Sequence, residues 1–276
     1  MRVCRMIMAF AVAALAAVAA AAAPPPVDLE LILAIDVSGS VDAEEARLQR
    51  EGYVSAFRDP DIVAAIRSGM VGRIAVFYFE WASAHENRVV LDWHVVGDAA
   101  SAAAYADRLS AMPIMRGRRT SIAGALEFAL PYFGTAYEGA RRVIDVSGDG
   151  PNNDGPPILP ARDAALAAGV VINGLPIINE RQFAWGLPNL KELDLYYRDC
   201  VIGGPGAFYI VAEDFASFAA AVKRKLVLEI AGLSPDTQYA QNAYPERPMF
   251  GPDGTIDCMV GEKLMEIFRR RMEAPN

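Results

Sequence analysis

Residues 29–35, LELILAI, are the feature that most constrains the fold. Their apolar side chains follow one another almost without interruption, which predicts a strand buried on both faces. The next segment, SVDAEEARLQREGYVSAF, predicts a helix in which Ser40 or Asp42 is the N-cap. Asp42 and Glu45 have the spacing of a capping box. A doubly buried strand that leads into a helix is typical of a parallel sheet covered by helices.

Strand and helix patterns alternate along most of the remaining chain. Further strands are predicted at 73–81, 87–96, 141–147, 170–177 and 207–212, with 87–96 at an edge of the sheet. Helices are predicted at 98–112, 121–133, 161–169 and 214–230, and Gly169 supplies a left-handed C-terminal cap. The fold class is therefore α/β, a doubly wound, mostly parallel sheet with helices on both faces, over residues 27–231.

The two ends of the chain differ from this central domain. Residues 1–22 combine Arg2 and Arg5 with a short run of apolar and small residues, which predicts a secretory signal peptide. A retained membrane anchor is the alternative, but the alanine-rich run is weakly hydrophobic for a membrane span. Residues 232–276 predict an irregular, proline-rich tail that carries a short amphipathic helix at 260–272.

Charge and cysteine content narrow the class of partner and the compartment. The full chain has a net charge of −8, and removal of Arg2 and Arg5 leaves 24 basic against 34 acidic residues, or −10. Nucleic acid and anionic lipid are poor partners for such a surface, and beyond export no membrane role is expected. The mature chain keeps Cys200 and Cys258, which form either a disulfide or two separate buried thiols. A periplasmic or secreted protein is expected.

Small oxygen-bearing side chains follow two of the predicted strands. Asp36 ends the first strand, Ser38 and Ser40 lie on the next turn, and Asp149 follows strand 141–147. Ligands bind at the carboxyl ends of parallel strands, where the winding of the sheet reverses, so these side chains meet if the two strands are neighbours. Thr120 opens the helix at 121–133 on the same side. Helix capping alone would account for the first three residues, but not for the set.

The donor types in this set indicate which ion it can hold. Carboxylates and hydroxyls are hard oxygen ligands, which suit Mg²⁺, or Mn²⁺ or Ca²⁺ in its place, better than zinc or copper. Two carboxylates only neutralise a divalent ion, so an incomplete and neutral site leaves room for one anionic ligand from outside. The predicted metal ligands are Asp36, Ser38, Ser40, Thr120 and Asp149.

Other polar residues near these strand ends have simpler interpretations. Asp145 lies within its strand and is expected to be a structural hydrogen-bonding group. Residues 152–154, Asn-Asn-Asp, either hold water around the ion or form an ordinary polar turn. Glu80 ends a strand and is not expected to be a ligand, and residues 203–206, GGPG, predict a tight turn rather than a phosphate loop.

The five predicted ligands, in this order and placement, resemble the metal-ion-dependent adhesion site of von Willebrand factor type A domains. The resemblance covers about residues 27–231. The segments LAIDVSGSVD, RRVIDVSGDGPNNDG, INGLPI and CVIGGPGAF look like a family of secreted bacterial proteins of unknown function built on that domain. The resemblance implies that Ser38, Ser40 and Thr120 ligate the ion and that Asp36 and Asp149 act directly or through water. It also implies that a partner's Asp or Glu completes the coordination shell.

The sequence departs from the resemblance in one loop. The metal-site threonine of such domains is commonly preceded by Gly-x, whereas GRRTS places the glycine one position earlier. Ser121 is therefore the alternative to Thr120. Arg118 and Arg119 either attract an acidic partner or are solvated loop charges.

The predicted function is that of an exported, metal-dependent protein-binding module rather than an enzyme. A structural scaffold with a vestigial metal site is one alternative, and a metal-assisted hydrolase is another. The sequence disfavours hydrolysis because DVSGS lacks the glycine of a nucleophile elbow. It also lacks the Gly-x-Gly-x-x-Gly turn of a dinucleotide-binding fold.

Overall fold

The computed structural model describes residues 23–178, 190–215, 217–235 and 255–273. The predicted signal peptide at 1–22 lies outside these ranges. Five strands form one sheet in the order β3-β2-β1-β4-β5. They are β1 (Pro26–Asp36), β2 (Ile74–Trp81), β3 (Asn87–Val96), β4 (Glu138–Gly148) and β5 (Val171–Pro176).

The sheet is parallel except at β3, which pairs antiparallel with β2 and lies at an edge as predicted. β1 lies in the centre and pairs in parallel with β2 on one side and with β4 on the other. The chain winds from β1 towards β2 and then continues on the opposite side with β4 and β5. The winding therefore reverses between β1 and β4, which is where a ligand crevice is expected.

Helices cover both faces of the sheet, which confirms the predicted fold class. They are α1 (Ala43–Phe57), α2 (Pro60–Arg67), α3 (Ala99–Ala111), α4 (Ile122–Ala129), α5 (Ile158–Ala167), α6 (Leu193–Tyr196), α7 (Phe218–Ala231) and α8 (Val260–Glu273). One core contains Leu31 and Leu33 of β1 together with α1, α2, α3 and α7. The other contains Ile32 and Ala34 with α4, α5 and α6. Alternate side chains of one strand thus serve two cores, because successive residues point to opposite faces.

The N-terminus of α1 confirms the predicted capping box. Asp42 accepts hydrogen bonds from the backbone of Glu44 and Glu45, and Glu45 accepts one from the Asp42 backbone at 2.8 Å. The cap begins α1 six residues after Asp36, so the turn that carries Ser38 and Ser40 is held between a strand and a helix whose start is fixed.

Several predicted elements differ in the structure. The helix predicted at 161–169 runs from Ile158 to Ala167, and the helix predicted at 121–133 ends at Ala129. Residues 207–212 do not form a sixth strand but pair at isolated bridges, Tyr209 with Gly174 of β5 and Ala212 with Ile177 just after β5. Two features interrupt the ladder: Pro176 has no N–H to donate, and the Asn173 side chain accepts the N–H of Phe208 at 3.0 Å. The helix predicted at 214–230 begins at Phe218.

A disulfide joins Cys200 to Cys258 across 58 residues of sequence, so the bridged alternative is correct. Cys200 lies in a π-helical turn, Tyr197–Val201, that continues α6. The bridge fixes the segment before α8 against the domain, and the backbone N–H of Ile256 donates to Asp199 at 3.1 Å. Among the described residues, no helix is long and apolar enough to cross a membrane.

Candidate metal-ion site at the β1–β4 switch point

Asp36 and Asp149 lie at the same end of the two central strands. Ile35 is paired with Ser147 in the parallel register of β1 and β4, which places the residues that follow them side by side. Both carboxylates are buried, with Asp36 0% and Asp149 5% exposed. Gly148 makes this approach possible, because a Cβ at that position would lie 2.8 Å from Asp36 Oδ2.

The turn after β1 brings two hydroxyls to the carboxylates. The Ser38 backbone N–H donates to Asp36 Oδ1 at 2.7 Å, a local bond that shapes the turn. The Ser38 and Ser40 hydroxyl oxygens lie 3.0 Å apart, and the Ser40 hydroxyl donates to Asp149 Oδ1 at 2.5 Å. Four of the five predicted ligands therefore form one connected cluster.

Thr120 approaches the cluster from the loop before α4. The Thr120 backbone N–H donates to Asn153 Oδ1 at 3.0 Å, and its carbonyl accepts the Asn153 N–H at 2.8 Å. The side chain faces the segment after β4, since a Cβ at Gly150 would lie 3.8 Å from Thr120 Oγ1. The Ser121 hydroxyl instead accepts the N–H of Gly124 at 3.2 Å and caps α4. The Ser121 hydroxyl is thus engaged in a helix cap, and Thr120 stays the predicted fifth ligand.

The electrostatics of Asp36 are those of a carboxylate that lacks a compensating charge. Burial, and then the nearby charge of Asp149, raise the pKa of Asp36 well above its ordinary value. Within the described part of the chain, Asp36 Oδ2 is buried and has no hydrogen-bond partner. Burial and then the Asp36 charge also raise the pKa of Tyr197, whose buried hydroxyl likewise has no partner there. A bound cation would offset both the burial of the Asp36 charge and its repulsion by Asp149.

The donor set fits a hard divalent cation. The described residues contain no group of three or more His, Cys, Asp or Glu side chains that could hold a metal ion. The five predicted ligands are two carboxylates and three hydroxyls, all oxygen donors of the kind that Mg²⁺ and Ca²⁺ prefer.

The residues after Asp149 hold the loops of the site by direct hydrogen bonds. Asn152, which is fully buried, accepts the N–H of Ala123 at 3.0 Å and donates to Glu262 of α8 at 2.8 Å. Asp154 accepts the N–H of Ala84 at 2.9 Å. Together with the Asn153 contact to Thr120, these bonds assign residues 152–154 a structural role.

Glu80 also supports the site without belonging to the cluster. It is 1% exposed, pairs with Arg50, and accepts the N–H of Met115 at 2.7 Å. Arg50 in turn donates to the carbonyls of Leu109 and Met112, each at 2.9 Å. The pair therefore anchors the start of the loop that leads to Thr120.

Asp145 is structural, as predicted, but its partner was not foreseen. Lys225 of α7 is fully buried, and its Nζ lies 2.6 Å from both Asp145 Oδ1 and Glu229 Oε1. Asn173 donates to the same Glu229 oxygen at 2.7 Å. The one sequence signal for this cluster is that Lys225 and Glu229 share the helix face of Val222, which is buried.

The chain matches one family model over residues 26–234, a family described as "Protein of unknown function (DUF1194)". The chain belongs to this family. The matched range spans the predicted domain at 27–231, and the exact domain limits stay a prediction. No curated protein matches the chain.

Solved structures with the same fold include von Willebrand factor type A domains. Proximal thread matrix protein 1 from the mussel byssus has a TM-score of 0.55 and 14% identity, over 76% of this chain and 49% of that one. The pilus adhesin SpaC from Lactobacillus rhamnosus GG has a TM-score of 0.53 and 15% identity, over 75% and 31%. A von Willebrand factor type A protein from Catenulispora acidiphila has a TM-score of 0.51 and 16% identity, over 75% and 43%. The chain thus spans half or less of each, and the likeness shows the fold.

Proposed function

We propose that this protein is an exported binding module that captures an Asp or Glu of a partner protein through a divalent cation, Mg²⁺ in the first instance. The observation that carries the proposal is the cluster at the β1–β4 switch point. There the Ser38 and Ser40 hydroxyls bridge towards Asp149, while Asp36 Oδ2 is buried without a partner among the described residues. The predicted ligands are Asp36, Ser38, Ser40, Thr120 and Asp149.

Each group has a distinct role in this proposal. Asp36 and Asp149 supply the negative charge that holds the ion, and three hydroxyls supply neutral oxygens. When bound, the cation would offer an electrophilic position to an anionic ligand, since two carboxylates only balance its charge. The buried floor of the site keeps water away from Asp36 and strengthens electrostatic attraction there.

Fold and chemistry both support binding rather than catalysis. The fold is shared with a pilus adhesin and a byssus matrix protein, which are not named as enzymes. A metal-assisted hydrolase must activate a water molecule, often with a second ion, and two carboxylates are few for that task. The Cys200–Cys258 disulfide supports an oxidising compartment, so we place the protein in the periplasm or outside the cell.

Calorimetric titration of the protein with Mg²⁺ tests the metal site directly. We expect saturable binding by the wild type and none by Asp36→Ala. Asp92→Ala is the matched control, because Asp92 is an exposed aspartate of the edge strand β3. Binding that survives in Asp36→Ala, or that is absent in the wild type, would contradict the metal assignment.

Partner capture separates a binding module from a scaffold with a vestigial site. Immobilised protein is exposed to a periplasmic extract with Mg²⁺ or with a chelator, and retained proteins are identified by mass spectrometry. A binding module retains a partner only with Mg²⁺ and loses it in Asp36→Ala. A scaffold retains the same proteins under all three conditions.

A further inference from the structure

The loop between α3 and α4 concentrates positive charge beside the candidate metal site. Arg116, Arg118 and Arg119 occupy three of four consecutive positions immediately before Thr120, and all three are exposed. The chain as a whole is acidic, with 26 basic and 34 acidic residues. These three arginines therefore form a positively charged patch on a protein that is acidic as a whole.

The backbone of this loop is fixed to the site at several points. The Gly117 N–H donates to the Val37 carbonyl at 2.8 Å, and the Arg118 carbonyl accepts the Gly39 N–H at 3.3 Å. Met115 donates to the buried Glu80 carboxylate at 2.7 Å. The three arginines thus project from an anchored backbone that contacts the residues between Asp36 and Ser40.

These arginines differ in their pairing from two other exposed arginines, Arg47 and Arg58. Arg47 pairs with Glu51 and Arg58 with Asp107, each at 2.6 Å. Across residues 23–178, 190–215, 217–235 and 255–273, no carboxylate forms an ion pair with Arg116, Arg118 or Arg119. The nearby Glu86 accepts the Ser83 hydroxyl at 2.7 Å and the Arg118 backbone N–H at 3.4 Å. The Ser83 hydroxyl and, more weakly, the Arg118 charge lower the pKa of Glu86, so Glu86 compensates only part of the charge of this loop. Like charges held together in this way favour an anionic ligand from outside.

We infer that the partner presents a run of acidic residues, in which one carboxylate completes the cation and its neighbours pair with Arg116, Arg118 and Arg119. This inference rests on the proposed function and names the class of its partner. Alternate side chains of an extended peptide point to the same side about 7 Å apart, so flanking carboxylates reach beyond the ion while the central one faces it. Guanidinium groups suit carboxylates because they donate two parallel hydrogen bonds.

Fluorescence anisotropy with two labelled peptides tests the inference. One peptide carries a single Glu within a Gly-Ser background, and the other carries five consecutive Glu residues. With Mg²⁺ present, we expect the wild type to bind the five-Glu peptide about tenfold more tightly, since three exposed ion pairs each contribute modestly. We expect this preference to shrink as sodium chloride is added, because the arginines are exposed to solvent.

Charge-neutral variants locate the effect. R116Q/R118Q/R119Q should bind both peptides equally, at the affinity of the wild type for the single-Glu peptide. R269Q/R270Q/R271Q removes the same charge from three exposed arginines of α8 and should keep the wild-type preference. Equal binding of both peptides by the wild type, no binding of either, or a preference that survives in the loop variant would overturn the inference.

Two further measurements separate this inference from the proposed function. If a chelator and Asp36→Asn leave five-Glu binding intact but R116Q/R118Q/R119Q abolishes it, cation capture fails and the arginine surface stands. If dextran sulfate binds the loop without Mg²⁺ as tightly as the five-Glu peptide does, the surface is a general polyanion site and the acidic-peptide assignment is wrong.

Discussion

Two clusters of buried carboxylates are built around Asp145 of β4 and around Asp149, four residues later, and they differ in how their charge is compensated. Beneath the sheet, Asp145 and Glu229 share the ammonium group of Lys225, which lies 2.6 Å from both. At the end of the strands, Asp36 lies beside Asp149, and no Lys or Arg of the described residues pairs with Asp36. The first cluster contains its own cation. For the second, we propose a cation that is supplied from solution.

The difference is also visible in how the carboxyl groups titrate. Burial and then the charge of Asp145 raise the pKa of Glu229 to about 7, although Lys225 opposes the shift. Burial and Asp149 raise the pKa of Asp36, and only hydrogen bonds oppose it. A resident lysine thus makes one cluster part of the folded core, whereas Asp36 has no such charge beside it among the described residues.

Removal of the resident cation should give the largest effect. Lys225→Met leaves Asp145 and Glu229 buried without compensation, which typically costs about 3–5 kcal/mol in the free energy of unfolding. Chemical denaturation measures this loss. Lys223→Met is the control, because Lys223 lies on the same helix but is exposed and pairs with Asp59 and Asp61 at the surface.

If Lys225→Met does not fold, a triple variant keeps the test decisive. Asp145→Asn/Lys225→Met/Glu229→Gln removes all three charges at once and should recover most of the stability. Failure of the triple variant to fold any better would mean that the lysine acts through its packing and not through its charge.

The external cation should give the next largest effect. Mg²⁺ at a hundred times its Kd stabilises a protein that binds it only when folded by about 2.7 kcal/mol. We expect this increase for the wild type and none for Asp36→Asn, as measured by thermal unfolding with and without Mg²⁺. Without metal, Asp36→Asn should unfold at a higher temperature than the wild type, because it removes a buried charge next to Asp149. A lower unfolding temperature would show that Asp36 is already compensated.

The pH dependence of the free energy of unfolding tests the raised pKa of Glu229 in the Lys225 cluster. The folded pKa of Glu229 lies above its ordinary value of 4.5, so the folded state holds this proton more tightly than the unfolded state does. The Glu229 contribution to stability therefore falls as the pH rises from about 4.5 through about 7. Glu229→Gln cannot titrate, so the wild type should lose more stability than this variant between pH 5 and pH 8. Parallel unfolding curves would contradict the shift.

The smallest expected effects distinguish the two hydroxyls before α4. Ser121→Ala removes a helix cap and should cost about 1 kcal/mol without weakening Mg²⁺ binding. Thr120→Val should weaken Mg²⁺ binding while leaving the free energy of unfolding nearly unchanged. Calorimetry and denaturation on the same two variants decide the point, and the reverse pattern would make Ser121 the ligand.

The sequence was sufficient for the parts of the fold that depend on local pattern. The apolar run before Asp36, its echo before Asp149 and the capping box at Asp42 predicted the strands, their winding and the start of α1. The meeting of Ser40 with Asp149 followed from the rule that ligands bind where the winding reverses.

The parts that failed depend on contacts between distant segments. Residues 207–212 have the β-branched and aromatic side chains of a strand, but Pro176 and Asn173 interrupt the ladder they would join. Lys225 lies between Val222 and Leu226 in the sequence. Helix periodicity alone cannot show that its ammonium group pairs with Asp145, 80 residues earlier. The contact of Asn152 with Glu262 was equally hidden, because no pattern relates the tail to the site.

The bridge between Cys200 and Cys258 has a consequence for how the chain matures. The sequence has one cysteine besides these two, Cys4, which lies within the predicted signal peptide. A chain processed after Ala22 therefore has one possible internal pairing, and oxidation cannot produce a scrambled monomer. Mispairing between these two cysteines then links two chains, so a non-reducing gel of the processed protein should show it as covalent dimers.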